Sequence, residues 1–151
     1  MIDDQPGLAQ AIALAALAHD GQTDKAGEPY ILHPLRVMLA CQGEAARICA
    51  VLHDVVEDTP WTLGALRRAG YAEDVLTALD HVTKRPEESY EQFIDRVLTD
   101  PLACLVKLAD LADNQDLSRL PVVTASDRER LLRYQRAEER IRAHLKQINK
   151  K

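Results

Sequence analysis

The sequence predicts an all-α fold, a single compact helical domain over residues 1–151. Three observations lead there. No segment sustains the polar–apolar alternation of a strand, and the one β-like run, Val122-Val123-Thr124, is too short to pair. The chain is rich in Ala, Leu, Arg and Glu, which favour helix. Helix caps and breakers punctuate the apolar segments at helical lengths.

The elements follow in order. Leu8, Ile12, Ala15 and Ala16 recur at helical spacing and predict a helix from about Pro6 to His19. A polar loop, Asp20 to Tyr30, carries Gly21, Gly27 and Pro29. Pro34 suits the first turn of a second helix, because its missing N–H is not needed there. A third helix is expected from about Glu44 to Glu57. A short one begins near Thr62 and ends at Gly70, and another spans about Glu73 to Thr83. Ser89 caps a helix that turns Phe93, Ile94 and Val97 inward. Pro101 opens the helix that carries Asp110, and Ser126 is the expected cap of the last long one.

A net charge of −5 argues against nonspecific binding to nucleic acid. No apolar run is long enough to span a bilayer, so no membrane role is expected. The start, Met1-Ile2-Asp3-Asp4, is acidic where a secretory leader would be basic. Cys41, Cys49 and Cys104 are odd in number, lack CxxC spacing and sit in apolar surroundings. They read as buried reduced thiols, and the expected location is cytoplasmic. Oligomeric state is open.

The chemistry concentrates in Leu52-His53-Asp54-Val55-Val56-Glu57-Asp58-Thr59. On one helix, His53 lies a turn from Glu57 and Asp54 a turn from Asp58. Apolar residues fill the gaps, so a histidine and three carboxylates crowd a buried segment. That is costly unless a cation relieves the repulsion and the lost hydration. A second stretch, Lys107-Leu108-Ala109-Asp110-Leu111-Ala112-Asp113-Asn114, puts Asp110 and Asn114 on one face. A third is Tyr30-Ile31-Leu32-His33-Pro34. Together His33, His53, Asp54 and Asp110 offer two imidazoles and two carboxylates. That mixed set suits Mn, Fe or Zn better than Ca or Mg. Water filling the open positions is acidified and can attack phosphorus.

The order His…His-Asp…Asp resembles the HD-domain phosphohydrolases. Five motifs resemble the RelA/SpoT hydrolase domain, and within it the small stand-alone alarmone hydrolases of the metazoan SpoT homologue type. They are Ala18-His19-Asp20-Gly21-Gln22, Gly27-Glu28-Pro29-Tyr30-Ile31-Leu32-His33-Pro34, His53 to Thr59, Val82-Thr83-Lys84 and Lys107-Leu108-Ala109-Asp110. The resemblance spans roughly His19 to Tyr134. It implies an HD-type helical bundle that binds Mn²⁺ and hydrolyses the 3′-pyrophosphate of (p)ppGpp to GDP or GTP and pyrophosphate. It implies His33, His53, Asp54 and Asp110 as metal ligands, and Glu57 and Asp58 as the acids beside the attacking water. It also implies nucleotide contacts from Lys25, Lys84, Asn114, Arg130 and Tyr134.

Three departures bear on the substrate. Asp24-Lys25 stands where the family commonly has Arg-Lys, Asp116 where it often has Arg, and Leu111 where a basic residue is frequent. Each moves the site toward neutral or acidic character. They leave open an HD phosphohydrolase for another nucleotide or phosphate ester, such as NADPH. A non-catalytic binding module that keeps the metal as a staple is the third reading.

Overall fold

The computed structural model describes residues 5–150. The acidic start, Met1–Asp4, lies outside them, as do both ends of the expected 1–151 domain. Among the described residues the fold is helical, and the only β pairing is an isolated bridge between Thr23 and Pro29. Helix α1 spans Leu8–Ala18 and buries Ala11 and Ala15. Ala16, expected inward, is exposed, because the buried stripe runs through Ala11 instead. Helix α2 spans Leu32–Ala40 with Pro34 in its first turn.

The expected helix from Glu44 to Glu57 is two helices, α3 at Glu44–Leu52 and α4 at Val55–Asp58. The break falls at His53 and Asp54. The Ala50 carbonyl lies 3.3 Å from the His53 backbone nitrogen and 2.6 Å from its ring Nδ1. The last turn is thereby tightened into an i→i−3 bond, which ends α3 without a proline or glycine.

Helix α5, Leu63–Arg68, is capped by the Thr62 hydroxyl, which accepts from Ala65 N. Gly70, at φ 101°, turns the chain away in a conformation that L side chains rarely adopt. Helix α6 covers Glu73–His81 and α7 covers Tyr90–Leu98, capped by Ser89 as expected. Helix α8, Pro101–Asn114, starts on Pro101. Helix α9 covers Ala125–Asn149, and its cap is Thr124 rather than Ser126. Asp127 decides this by accepting from both Thr124 N and Thr124 Oγ1, which closes a capping box one residue pair earlier.

Helix α3 is the centre of the core. Ile48, Cys49, Ala50, Val51 and Leu52 are all fully buried, and α1, α2, α6 and α8 pack around it. The three cysteines are buried and free. No helix among the described residues is long and apolar enough to cross a membrane. The architecture brings the start of α2, the α3–α4 break and the last turns of α8 to one end of the bundle.

Candidate metal centre and its cavity

The α3–α4 break aims His53 inward. A carbonyl oxygen only accepts, so the ring nitrogen 2.6 Å from Ala50 O carries the proton. Nε2 then faces the other side, where Asp54 Oδ2 lies at 3.0 Å and Asp110 Oδ1 at 3.2 Å. His33 Nε2 lies 2.9 Å from the same Asp110 oxygen and 3.7 Å from Asp54 Oδ2. Ligand atoms of His33, His53 and Asp54 all fall within 4.8 Å of one another, a group that can hold a metal ion. Both imidazoles and Asp110 are buried. The structure thus brings together the four residues expected as ligands, drawn from α2, the α3–α4 break and α8.

The donor chemistry fits a cation. Two imidazole nitrogens and two carboxylates face one point, and lone pairs there repel unless a positive charge intervenes. Burial alone would lower the His53 pKa, but Asp54 and Asp110 hold it well above the usual imidazole value. Burial would raise Asp110, yet Lys107, His53 and His33 hold it well below the carboxylate range. Extra protons on the rings are one way to supply the missing charge, and a divalent ion is the other.

Supporting groups surround this set. Tyr30 donates its hydroxyl to Asp54 Oδ2 at 2.5 Å. Lys107 donates to Asp110 Oδ2 at 2.9 Å and Asn114 to Asp110 Oδ1 at 3.0 Å. Asp113 lies 2.7 Å from His33 Nδ1 and is gripped by Arg36 at 2.8 and 3.1 Å. Asp113, Arg36 and Lys107 are not among the site residues expected from the sequence. The signal was spacing: Asp113 follows Asp110, and Arg36 follows His33, by about one helical turn.

Glu57 and Asp58 sit exposed on α4. Partial desolvation and the nearby Asp54 raise the pKa of both. Their helix is braced from the loop after α1, because Gln22 donates to the Asp58 carbonyl at 3.0 Å. Gln22 Oε1 in turn lies 2.8 Å from His19 Nδ1.

Beside His33 opens a cavity of about 480 Å³. Its walls include Lys25, Asn114, Arg130 and Tyr134, four of the expected nucleotide contacts. Lys84 is not among them; its ammonium donates to the Arg85 carbonyl at 3.2 Å. The three departures resolve differently in space. Asp24 accepts from the amides of Ala26 and Glu28, both at 2.9 Å, so its carboxylate closes its own loop. Asp116 caps the 3₁₀ turn Leu117–Arg119 and pairs with Arg119 at 3.0 Å. Leu111 is fully buried, where a charge would lose its hydration.

No family model matches the chain. Curated relatives do. It is 34% identical over 117 residues to a guanosine-3′,5′-bis(diphosphate) 3′-pyrophosphohydrolase of Aquifex aeolicus, covering 70% of this chain and 17% of the relative. It is 33% identical over 124 residues to the bifunctional (p)ppGpp synthase/hydrolase SpoT of Escherichia coli K12, covering 71% and 17%. The chain is similar to the RelA/SpoT hydrolase domain. It spans about a sixth of the length of these relatives. In structure, the chain superposes on a solved metazoan ortholog of SpoT, described as hydrolysing ppGpp, with a TM-score of 0.74. That likeness covers 89% of this chain and 84% of the other at 23% identity, and it bears on the fold.

Proposed function

We propose that this chain hydrolyses the 3′-pyrophosphate of (p)ppGpp to GDP or GTP and pyrophosphate. His33, His53, Asp54 and Asp110 would hold the divalent ion, Mn²⁺ in the first place. One observation carries the reading: three distant segments bring two imidazoles and two carboxylates to one buried point beside a nucleotide-sized cavity. The relatives' names supply the substrate.

When bound, the ion supplies Lewis acidity and acidifies water. The chain does the rest. Glu57 and Asp58, whose pKa values are raised by desolvation and by Asp54, accept the proton of the attacking water. The water oxygen bonds to the phosphorus next to the ribose, the bond from that phosphorus to the 3′ oxygen breaks, and the proton ends on the 3′ oxygen. Arg130 and Lys25 meet phosphate oxygens, while Tyr134 and Asn114 face the nucleoside.

A second reading is HD-type hydrolysis of another nucleotide or phosphate ester, such as NADPH. It draws on the cavity wall, where Asp24, Asp113, Asp116 and Asp127 match Lys25, Arg36, Arg119 and Arg130 in number. A panel of nucleotides with added Mn²⁺, read as pyrophosphate and phosphate release, separates the two. ppGpp turned over fastest supports the first reading, and NADPH or a deoxynucleotide turned over fastest supports the second. A well-folded, metal-loaded chain inert toward the whole panel returns the third, the non-catalytic module.

A further inference from the structure

We infer that Asp113, braced by Arg36, is a positioning residue that fixes the His33 ring with Nε2 facing the cation site. The inference rests on the metal-dependent reading above and adds to it a residue outside the four ligands. Asp113 Oδ2 lies 2.7 Å from His33 Nδ1. The Arg36 guanidinium grips both of its oxygens, as it grips a carboxylate, so the group facing Nδ1 is an acceptor. Nδ1 therefore carries the proton and donates it. The lone pair is left on Nε2, the nitrogen 2.9 Å from Asp110 Oδ1.

The carboxylate is itself tied down. Arg36 donates to both of its oxygens, and Arg119 NH2 lies 3.4 Å from Oδ1. The Asp113 side chain is 12% exposed and that of His33 is 7% exposed, so neither has room to swing. Asp113 stands on α8 while His33 and Arg36 stand on α2. The contact thus sets the ring and locks together the two helices that supply separate ligands. His53 needs no such partner, because the Ala50 carbonyl holds its Nδ1–H. A carboxylate behind a ligating imidazole fixes its tautomer and raises its basicity.

The test uses the whole chain with Asp113→Asn, Asp113→Leu and Arg36→Met. Calorimetric titration with Mn²⁺ at neutral pH should show Asp113→Leu binding about 10–100-fold more weakly. Asp113→Asn, whose amide oxygen still accepts, and Arg36→Met should lose less. A second readout is specific to orientation. In the zinc-loaded protein the His33 Nδ1–H should give a slowly exchanging ¹⁵N–¹H signal that fades in Asp113→Leu. If Asp113→Leu does not fold, Asp113→Asn and Arg36→Met carry the same comparison. Folded variants with unchanged metal affinity and an unchanged Nδ1–H signal overturn the inference and leave the metal reading standing. A wild-type chain that binds no divalent ion removes that reading itself, which is a different result.

Discussion

Two buried carboxylates, Asp110 and Asp127, look alike and behave as opposites. Each is nearly inaccessible, and each is crowded by donors. Around Asp127 the donors are mostly local. Thr124 gives a backbone and a hydroxyl bond, Arg130 pairs one turn later, and Lys25 stands 3.5 Å away. The cluster is a helix cap at the cavity wall, where Arg130 and Lys25 answer the Asp127 charge. Around Asp110 the partners come from three parts of the chain, and two of them are imidazoles whose Nε2 atoms face the same oxygen. The first arrangement stabilises a helix end. The second leaves ligand atoms converging on a shared point, which is what binding a cation requires.

The sharpest way to break this contrast is to remove each carboxylate. Asp110→Ala should abolish turnover and metal binding. It should also cost about 3–5 kcal/mol of stability, because Lys107 and two imidazoles lose a buried partner. Turnover, metal titration and thermal melts check each part, and full activity in that variant would end the metal reading. Glu57→Gln combined with Asp58→Asn comes next. It should lower kcat by about 10²–10⁴-fold while Mn²⁺ affinity holds, as expected for loss of a proton acceptor. In wild type the acid limb of kcat/KM should lie above that of a free carboxylate, since desolvation and Asp54 raise both groups, and it should move in the variant.

The Asp127 side should respond more mildly. Thr124→Ala removes the α9 cap and should lower stability by about 1 kcal/mol with kcat nearly unchanged. The smallest effect is in acid. Bonds from Thr124 and the Arg130 charge lower the Asp127 pKa to about 2. Its stabilisation is full above the unfolded carboxylate value near ~4 and is lost as pH falls through the folded one. Melting temperatures from pH 5 to 2 should therefore fall more steeply in wild type than in Asp127→Asn.

The same contrast explains what the sequence revealed. The all-α class was legible because Thr62, Ser89 and Pro101 mark helix starts by local chemistry. Ser126 misleads because the decisive bond belongs to Asp127, and Thr124 and Ser126, two residues apart, offer the same local signal. The α3–α4 break was illegible because it depends on where the His53 ring bonds, which no periodicity encodes. The four expected ligands come together because their motifs were distinctive as a set. Asp113 and Arg36 were overlooked because a salt bridge between α2 and α8 joins positions 77 residues apart. In the sequence Asp24 reverses a charge expected in the pocket, and its capture by the amides of Ala26 and Glu28 appears only once the loop is closed.

The separation of His33 from Asp110 along the chain has a thermodynamic consequence. Denaturation scatters these donors, so the unfolded polypeptide would retain almost no affinity for the ion proposed for the native site. Ion binding and folding are then one linked equilibrium, and each hundredfold excess of free ion over its dissociation constant adds about 2.7 kcal/mol to native stability. With the proposed ion bound, resistance to heat and to proteases would become a gauge of the surrounding supply of that ion, and chelation would shorten the lifetime of the folded chain.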